Sequence, residues 1–446
     1  MIVRGIKFIH FLLIGMITVF LLALAYLWLV KENLFASGIF YEYVFFLLTG
    51  VLFYSSAFFF KPSNKANLSL LTISILFVVY FSECFLLFFE SGKKDASDNF
   101  DKRTRLEVLM DLRKSGVDAW TTMYPGQWIM TEGHKSFKGR IFPLAGISKK
   151  KSIMCNESGE YVIFESDEHG FNNPRGLHNK GLVDIVLVGD SFVEGQCVKS
   201  GSDISGQLRS YGYRTLNLGM GDSGPLIELA ITKEYAEPLE PKVVLWFYFE
   251  GNDLNNFERE KNSILLTKYL EDTFTQNLVK RRSEIDAVLI HYFEKELQSK
   301  IKQEQLIFKF FKSQTFKVLS LFHLRQKFGF YRKTRKPTQS FFEVISNAKS
   351  RIESWEGRIY FIYVPELRRY THNRDDKSYL NRGEILHRIK KSGIKTIDFH
   401  EVLSLEKTPT SFYTHNYGHL TPKGYGLLAK EIDRQLKSQF KSNLEG

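Results

Sequence analysis

Three long runs of apolar residues occupy the first part of the chain, at residues 8–30, 39–60 and 68–89. Each run has about the 20 residues that a helix needs to cross the hydrocarbon core of a bilayer. Buried helices of soluble proteins rarely run this far without polar interruption, and the apolar stretch of a signal peptide is shorter than the first run. The pattern therefore predicts three transmembrane helices within residues 1–90.

Basic residues beside these runs indicate the orientation of the chain in the membrane. Arg4 and Lys7 precede the first run, which favours a cytoplasmic N-terminus, and Lys61 and Lys65 before the third run agree with it. The basic residues that follow the third run argue for the opposite orientation. Because the first helix usually dominates, we expect residues 91–446 on the outer, periplasmic side of the cytoplasmic (inner) membrane.

Two carboxylates, Glu42 and Glu83, fall inside or near the apolar runs. Ionisable groups within a membrane are candidates for function. Near the end of a span they can instead reach interfacial water, and we favour that interpretation for both residues.

The pattern changes after residue 90. Residues 91–150 are polar and basic, and we interpret them as a linker and lead-in segment. From residue 184 onwards, short β-branched runs alternate with helical periodicity, which predicts a parallel sheet in an α/β domain over residues 151–446. The predicted strands are residues 184–188, 214–218, 242–249, 358–364 and 395–399.

Residues 254–350 interrupt this alternation. They are rich in Lys, Glu, Gln and Phe with helical periodicity, and they contain no catalytic cluster. A helical cap, a partner-binding arm and plain packing helices all fit this helical insertion, and we favour packing helices. Near the end of the chain, Thr421 and Pro422 predict the start of a final helix, with Thr as N-cap and Pro at the first helical position.

Charge and cysteine content narrow the choice of partners and compartment. The net charge of +12 with 25% charged residues is basic but moderate, so we expect no nucleic-acid partner. Cys84 lies in the third apolar run, which leaves Cys155 and Cys197 in the polar part. Two cysteines in an exported domain can pair, and this disulfide would anchor residues 154–165 beside Ser191. Two unrelated thiols are an equally good interpretation.

The triplet Gly189-Asp190-Ser191 follows the first strand of the predicted sheet. A helix after it would place Ser191 at a strand-to-helix corner, where exposed N–H groups and the positive end of the helix dipole favour a nucleophile. The simpler alternative is a helix-capping serine that follows a core strand. The partners that the rest of the chain supplies decide between the two.

Further polar clusters fall at the carboxyl ends of other strands and at the entrance of the last helix. Open parallel sheets bind ligands at these strand ends. With Ser191 as a hydroxyl nucleophile and His419 as its base, the clusters can form a hydrolase site. Donors to a developing oxyanion would be the Ser191 N–H, a backbone N–H near Gly221 and the Asn252 amide. The clusters are residues 217–224, 251–253 and 416–419.

Together these clusters resemble the sequence blocks of the SGNH/GDSL esterase–lipase family, in matching order over residues 184–435. Residues 189–191 resemble its nucleophile block, residues 251–253 its oxyanion asparagine block, and residues 419–425 its histidine block. The resemblance implies a three-layer α/β/α fold of the flavodoxin-like type, and serine-dependent ester hydrolysis or acyl transfer. It covers none of the membrane part.

The chain departs from the family pattern at the position three residues before the histidine. The family usually has Asp there, and this chain has Asn416. A carboxylate orients the imidazole and stabilises its charged form, and replacing Asp by Asn in the serine-protease triad costs about 10⁴ in kcat. Either a backbone carbonyl or another carboxylate, such as Asp398, orients His419, or the site is slow or inactive.

A second departure lies in the glycine block, where the family's backbone donor would fall near Gly221 or Asp222. A backbone N–H serves with any side chain. A carboxylate beside a developing oxyanion, however, would oppose the negative charge that forms there.

Residues 219–224 also fit the dinucleotide fingerprint Gly-x-Gly-x-x-Gly, with Glu250 as a ribose ligand. Pro225 argues against that interpretation, because the third glycine then precedes the helix and does not lie at the helix–strand contact. The fingerprint also leaves the other clusters unexplained. We therefore expect no cofactor, and no metal, since no spacing of His or Cys suits zinc.

The sequence thus predicts a membrane-anchored serine esterase whose partners are the lipid bilayer and an acylated glycan or lipid of the cell envelope. The anchoring and the orientation motivate this substrate, which no single residue encodes. O-acyl transfer to a polysaccharide would use the same chemistry. A catalytically degenerate glycan-binding or assembly protein is a third interpretation, which Asn416 makes credible.

Overall fold

The structure, a computed structural model, describes residues 2–29, 40–91, 100–303, 318–319, 321, 323–324, 335–371, 379–414 and 418–442. The chain divides into two units. The first comprises Met1–Ala96 and Leu297–Lys333, and the second comprises Ser97–Glu296 and Thr334–Gly446. The middle of the expected helical insertion over 254–350 therefore groups with the N-terminal helices, whereas both of its ends belong to the second unit.

Apolar helices form the N-terminal part of the first unit: α1 (Ile2–Leu29), α2 (Phe40–Ser56) and α3 (Pro62–Ser91). Among the described residues, the stretches Phe8–Trp28 and Pro62–Phe88 are long and apolar enough to cross a bilayer. Helix α2 has 17 residues and is about 25 Å long, which is shorter than the ~30 Å hydrocarbon core. The prediction of three transmembrane helices is therefore corrected to two candidate spans and one shorter apolar helix.

The second apolar run forms a shorter helix than predicted because of the residues that end it. A single turn of 3₁₀ helix, Ala57–Phe59, follows α2, and Phe60 then adopts an extended conformation. Proline disfavours helical conformation in the residue before it, and Pro62 starts the next helix instead.

Glu83 on α3 is fully buried, which corrects our expectation that its carboxylate reaches interfacial water. Its two oxygens accept the backbone N–H groups of His323 and Leu324, each at 2.8 Å. The ring Nδ1 of His323 lies 2.7 Å from the same carboxylate. A carboxylate of α3 thus binds the backbone of His323 and Leu324 within the same unit. The side chain of Glu42 lies outside the described residues.

Strands and helices follow one another along the rest of the chain. The strands are β1 (Ala119–Thr121), β2 (His134–Ser136), β3 (Gly139–Ile141), β4 (Lys151–Ile153), β5 (Ile163–Glu165), β6 (Ile185–Val188), β7 (Thr215–Asn217), β8 (Val243–Phe249), β9 (Arg358–Val364) and β10 (Lys395–Asp398). The α-helices are α4 (Arg105–Lys114), α5 (Ser191–Glu194), α6 (Ile204–Ser210), α7 (Pro225–Ile231), α8 (Asp253–Glu260), α9 (Ile264–Thr267), α10 (Arg282–Gln303), α11 (Gln339–Glu353), α12 (Arg368–Thr371), α13 (Arg382–Lys391), α14 (Phe399–Leu403) and α15 (Pro422–Ser442).

The main sheet of the second unit has the strand order β7-β6-β8-β9-β10, and all neighbouring strands are parallel. With β6 counted as the first strand, this is the order 2-1-3-4-5 of flavodoxin-like folds. The α/β class and the parallel sheet are therefore confirmed. Because the strands are parallel, the loops after β6, β7 and β8 leave from the same edge of the sheet, where such folds bind their ligands.

Both faces of this sheet are covered, as expected for a layered α/β/α domain. Leu245 and Phe247 of β8 belong to one apolar core with residues of α6 and α15. The alternate residues Trp246 and Tyr248 point to the other face and are also buried, and the Tyr248 ring lies 5.8 Å from that of Phe341 on α11. Burial on both faces explains why the central strands are continuous apolar runs in the sequence.

Residues 100–150 are folded, whereas we expected a linker and lead-in over 91–150. Helix α4 begins with a capping box formed by Thr104 and Glu107. Strand β1 pairs in parallel with β4, and β4 pairs antiparallel with β5, which makes a second sheet of three strands. Trp128 lies in the core of this region with only 2% of its surface exposed. This segment is therefore part of the second unit.

Cys155 and Cys197 form a disulfide, with their Cα atoms 5.3 Å apart. Cys155 follows β4, and Cys197 follows the helix that begins with Ser191. The structure thus contains the pairing that we hypothesised, and the alternative of two unrelated thiols is set aside. The bond ties the three-stranded sheet to the strand-to-helix corner of the main sheet.

A buried ion pair next to the main sheet provides a test of this packing. Glu250 follows β8, Arg369 lies on α12, both side chains are fully buried, and Arg369 Nε donates to Glu250 Oε1 at 3.0 Å. We expect Arg369→Met to lower the free energy of unfolding by about 3–5 kcal/mol, because Glu250 then stays buried without its countercharge. Thermal and chemical unfolding of the full chain in detergent measure the loss.

The exposed pair between Arg434 and Glu431 provides the control for this substitution. Water screens the charge of Arg434, so Arg434→Met should leave the unfolding transition nearly unchanged. Equal losses for the two variants would contradict the role that we give to the buried pair.

Candidate active site

Ser191 lies at a sharp corner between β6 and α5. Gly189 makes the corner possible, because a Cβ at this position would lie 2.5 Å from a methyl group of Val193 and 2.9 Å from Cβ of Phe247. Asp190 caps the helix and accepts the backbone N–H of Phe192 at 2.9 Å. As the first residue of α5, Ser191 has no intrahelical partner for its own N–H, which stays available to an oxyanion.

His419 lies within hydrogen-bond distance of the serine. Its Nε2 is 3.0 Å from Ser191 Oγ. The backbone around His419 is held by the Thr414 N–H, which donates to the His419 carbonyl at 2.7 Å, and by a bridge between Tyr413 and Leu420. A base at this distance can take the hydroxyl proton as the serine attacks.

The other ring nitrogen of His419 contacts a carboxylate that the sequence analysis missed. His419 Nδ1 lies 2.6 Å from Glu157 Oε1, and the Thr414 hydroxyl donates to Glu157 Oε2 at 2.6 Å. The Glu157 side chain is only 5% exposed. Ser191, His419 and Glu157 therefore form a continuous hydrogen-bonded chain with the order of partners found in a catalytic triad.

Asp398, the carboxylate that we named as an alternative partner of His419, is engaged elsewhere. It accepts the Arg382 Nε at 2.9 Å and the His400 N–H at 3.1 Å, as the cap of α14. Asn416 lies outside the described residues. The sequence contained one signal that could have identified Glu157 as a site residue, namely its proximity to Cys155. The hypothesised disulfide already placed this segment beside Ser191.

The Gly221 N–H is not directed at the serine hydroxyl. It donates to Glu194 Oε2 at 3.0 Å, and Glu194 is 2% exposed. The amide of Gln196 donates to the same oxygen at 3.3 Å and to the Tyr124 hydroxyl at 2.9 Å. A buried polar network thus occupies the backbone donor that we assigned to the oxyanion.

The next residue, Asp222, has the left-handed conformation (φ 56) that usually favours glycine. Its carboxylate turns away to Arg259, whose Nη2 donates to Asp222 Oδ1 at 2.8 Å. Asp222 therefore does not place an uncompensated charge beside the oxyanion. In the described residues its N–H donates to no backbone carbonyl.

Asn252 is the N-cap residue of α8, directly after β8. Its side chain lowers the pKa of the neighbouring Asp190 carboxyl, and its Oδ1 is buried without a partner among the described residues. The amide thus reaches the residue next to the nucleophile, as expected for an oxyanion donor from this strand end.

Burial sets the protonation of the carboxyl groups around the corner. Burial raises the pKa of Asp190, although the Phe192 N–H, His419, Asn252 and the Ser191 hydroxyl act in the opposite direction. Burial also raises the pKa of Glu194 to about 7, against the amide of Gln196 and the Gly221 N–H. Among the described residues no group of three or more His, Cys, Asp and Glu side chains could hold a metal ion.

The structure does not support the interpretation of residues 219–224 as a dinucleotide-binding site. The Glu260 carboxylate already accepts the N–H groups of Gly224 at 2.5 Å and Leu226 at 2.9 Å, at the start of α7 where a pyrophosphate would bind. Glu250, the proposed ribose ligand, is buried against Arg369. The N–H groups that would bind a pyrophosphate are therefore already engaged by Glu260.

Comparisons with known proteins give distant similarities. No protein-family model and no curated protein matches the chain. Among solved structures it is similar to a lipolytic protein of the G-D-S-L family from Desulfitobacterium hafniense DCB-2, at 15% identity and a TM-score of 0.32, over 56% of this chain and 97% of the other. It is similar to the lipase/acylhydrolase from Enterococcus faecalis at 15% identity and a TM-score of 0.32, over 58% and 96%.

The raised pKa of Glu194 predicts a specific pH dependence of stability. Between the ordinary carboxyl pKa near 4.5 and about 7, the folded state keeps a proton that the unfolded state has lost, so stability falls as the pH rises through this window. We expect the unfolding free energy of the wild type to fall by about 1–3 kcal/mol more than that of Glu194→Gln between about pH 5 and pH 8. Parallel unfolding profiles over this range, measured by denaturant titration, would contradict the assignment.

Proposed function

We propose that the chain is a serine esterase of SGNH type, with Ser191 as nucleophile and His419 as general base. The observation that carries the proposal is the chain of contacts at the strand edge, 3.0 Å from Ser191 Oγ to His419 Nε2 and 2.6 Å from His419 Nδ1 to Glu157. A serine that served only as a helix cap would need no such partners. In this structure the N-cap residue of α5 is Asp190 and not Ser191.

In the proposed reaction Ser191 Oγ attacks the ester carbonyl carbon and its proton passes to His419 Nε2. The carbonyl oxygen becomes negatively charged near the Ser191 N–H and the Asn252 amide, which supply the hydrogen bonds that stabilise it. His419 then returns the proton to the departing alcohol, and an acyl ester remains on Ser191. A water molecule, deprotonated by the same histidine, releases the acid and restores the serine.

Glu157 weakens the case for a catalytically degenerate binding protein. That interpretation rested on Asn416, which leaves the family position without a carboxylate. A carboxylate from a different segment contacts the same ring nitrogen, and this contact supports turnover over simple binding.

We further propose that two apolar helices anchor the esterase to the inner membrane, with the second unit on the outer side. Two spans return the chain to the side on which it starts, so this arrangement also places the N-terminus outside, against the cytoplasmic N-terminus that Arg4 and Lys7 favoured. The disulfide of the second unit is the observation that favours the outer side. The lengths of Phe8–Trp28 and Pro62–Phe88 fit such an anchor, and a disulfide is typical of proteins outside the cytoplasm. An enzyme held at this surface would act on an acyl group of a cell-envelope glycan or lipid.

Substitution of the nucleophile tests the reaction. Ser191→Ala should lower the hydrolysis of a small acetyl ester by at least about 10³-fold, because the remaining groups have no nucleophile to activate. It should also abolish labelling by a phosphonate that reacts with active serines. Turnover of the ester by the full chain in detergent and mass analysis of the labelled peptide are the measurements.

The second Gly-Asp-Ser triplet, at residues 221–223, offers a matched control for this experiment. Ser223 is buried, and its hydroxyl has no partner among the described residues. Ser223→Ala should therefore retain the hydrolysis rate and the labelling. Equal rates for the wild type and Ser191→Ala would reject the proposed function.

Reporter fusions test the location. Alkaline phosphatase, which folds only outside the cytoplasm, should be active when fused after residue 446, because the disulfide-bearing unit is expected on the outer side. A reporter that is active only in the cytoplasm should be inactive at the same position. The reverse pattern would place the second unit in the cytoplasm and contradict the anchoring scheme.

A further inference from the structure

The carboxylate that contacts His419 comes from outside the main sheet. Glu157 lies in the turn between β4 and β5 of the three-stranded sheet. Two backbone hydrogen bonds close the base of this turn: the Met154 N–H donates to the Val162 carbonyl at 2.8 Å, and the Val162 N–H donates to the Cys155 carbonyl at 2.9 Å. The turn therefore projects Glu157 toward the main sheet from a separate piece of structure.

The disulfide joins this turn to the segment that carries the nucleophile. Cys155 is two residues before Glu157, and Cys197 is six residues after Ser191. The Cys197 N–H also contacts the sulfur of Met154 at 3.4 Å. Both cysteines thus hold the turn at the place where the Glu157 carboxylate meets the histidine.

We propose that Glu157 is the positioning residue of His419 and that the Cys155–Cys197 disulfide holds it there, so that the catalytic rate depends on the oxidation state of this cysteine pair. The inference rests on the proposed function, because it concerns how the Ser191–His419 pair is kept active. In the family that the sequence resembles, an aspartate three residues before the histidine orients the imidazole. The inference gives this role to Glu157, a residue of the smaller sheet.

Several contacts support a positioning role over a merely structural one. The Glu157 carboxylate divides its two oxygens between the His419 ring and the Thr414 hydroxyl, and it has no cationic partner in the described residues. A buried carboxylate without a permanent countercharge is costly. In the proposed reaction the imidazole takes up the proton of Ser191, and the Glu157 carboxylate then stabilises the charged ring, so the geometry favours the transition state.

The dependence on oxidation follows from how the turn is held. A dithiol reductant supplies two electrons and two protons, converts the disulfide into the two thiols of Cys155 and Cys197, and is itself oxidised to its cyclic disulfide. The turn then keeps its backbone hydrogen bonds but loses the covalent link to the Ser191 segment. The carboxylate would spend less time at the ring nitrogen, and the rate would fall.

The central experiment combines substitutions of the carboxylate and of the disulfide in the full chain. Glu157→Gln should lower kcat for a small acetyl ester by about 10²–10⁴-fold with little change in KM, as expected when a triad carboxylate is neutralised. The acid limb of the kcat/KM profile should move to lower pH, because the charged imidazole loses its anionic neighbour. A structural role alone would not move this profile.

The disulfide arm uses Cys155→Ser with Cys197→Ser, alone and together with Glu157→Gln. The cysteine variant should lower kcat at least about tenfold, and adding Glu157→Gln should give the rate of Glu157→Gln alone, because both changes act through one contact. Dithiol treatment should likewise slow the wild type and leave Glu157→Gln unaffected. Losses that multiply would overturn the link between the disulfide and the carboxylate.

Glu160→Gln provides the matched control, since Glu160 lies in the same turn and is exposed. It should retain the rate and the pH profile. Labelling of Ser191 by the phosphonate distinguishes a failure of this inference from a failure of the proposed function. A labelled Glu157→Gln enzyme with an unchanged rate and pH profile would overturn this inference and leave the proposed function intact, whereas absence of labelling in the wild type would reject the proposed function itself.

Discussion

The contact between Glu157 and His419 is the interaction on which the candidate site depends. A serine hydroxyl is a weak nucleophile, and a neutral imidazole activates it only when the ring is held in one tautomer with Nε2 toward the hydroxyl. The contact at Nδ1 fixes that tautomer, and Thr414 fixes the carboxylate in turn. The main sheet presents Ser191, His419 and Asn252 at one edge, but this carboxylate comes from the smaller sheet. The two sheets must therefore stay together for the site to be complete.

The surroundings of the corner reinforce this dependence because they are buried and contain several carboxyl groups. Burial raises the pKa of Asp190, Glu194, Glu228, Asp253 and Glu260. Each of these shifts favours the neutral acid over the carboxylate, which opposes the accumulation of like charges behind the serine. In such a buried environment each remaining hydrogen bond and charge is stronger than in water. The pair of a charged imidazole and the Glu157 carboxylate would be stabilised most by this burial.

The sequence predicted the elements whose signal is local. Strands buried on both faces appear as apolar runs, and the predicted strands 184–188 and 242–249 agree closely with β6 and β8. The final helix begins at Pro422, as the Thr-Pro pair indicated. The strands of the smaller sheet have three residues each, too few for a periodic pattern, so its lead-in part was interpreted as a linker. Hydropathy alone also could not show that the second apolar helix ends early at Phe60.

The sequence predicted the site residues that belong to motifs, but not the residue that only a tertiary contact brings to the site. Ser191, Asn252 and His419 each follow a strand or precede a helix, whereas Glu157 lies 262 residues before its histidine in no recognisable pattern. A carboxylate on the histidine's own loop needs no extra constraint, because three residues of chain hold it near the ring. A carboxylate from a separate sheet loses that advantage. The disulfide, which closes a loop of 42 residues, removes about 4 kcal/mol of chain entropy in the simple loop model. In the proposed site, Asn416 and the cysteine pair therefore belong to one arrangement: the position three residues before His419 has no carboxylate, and a covalent link holds a distant carboxylate at the ring.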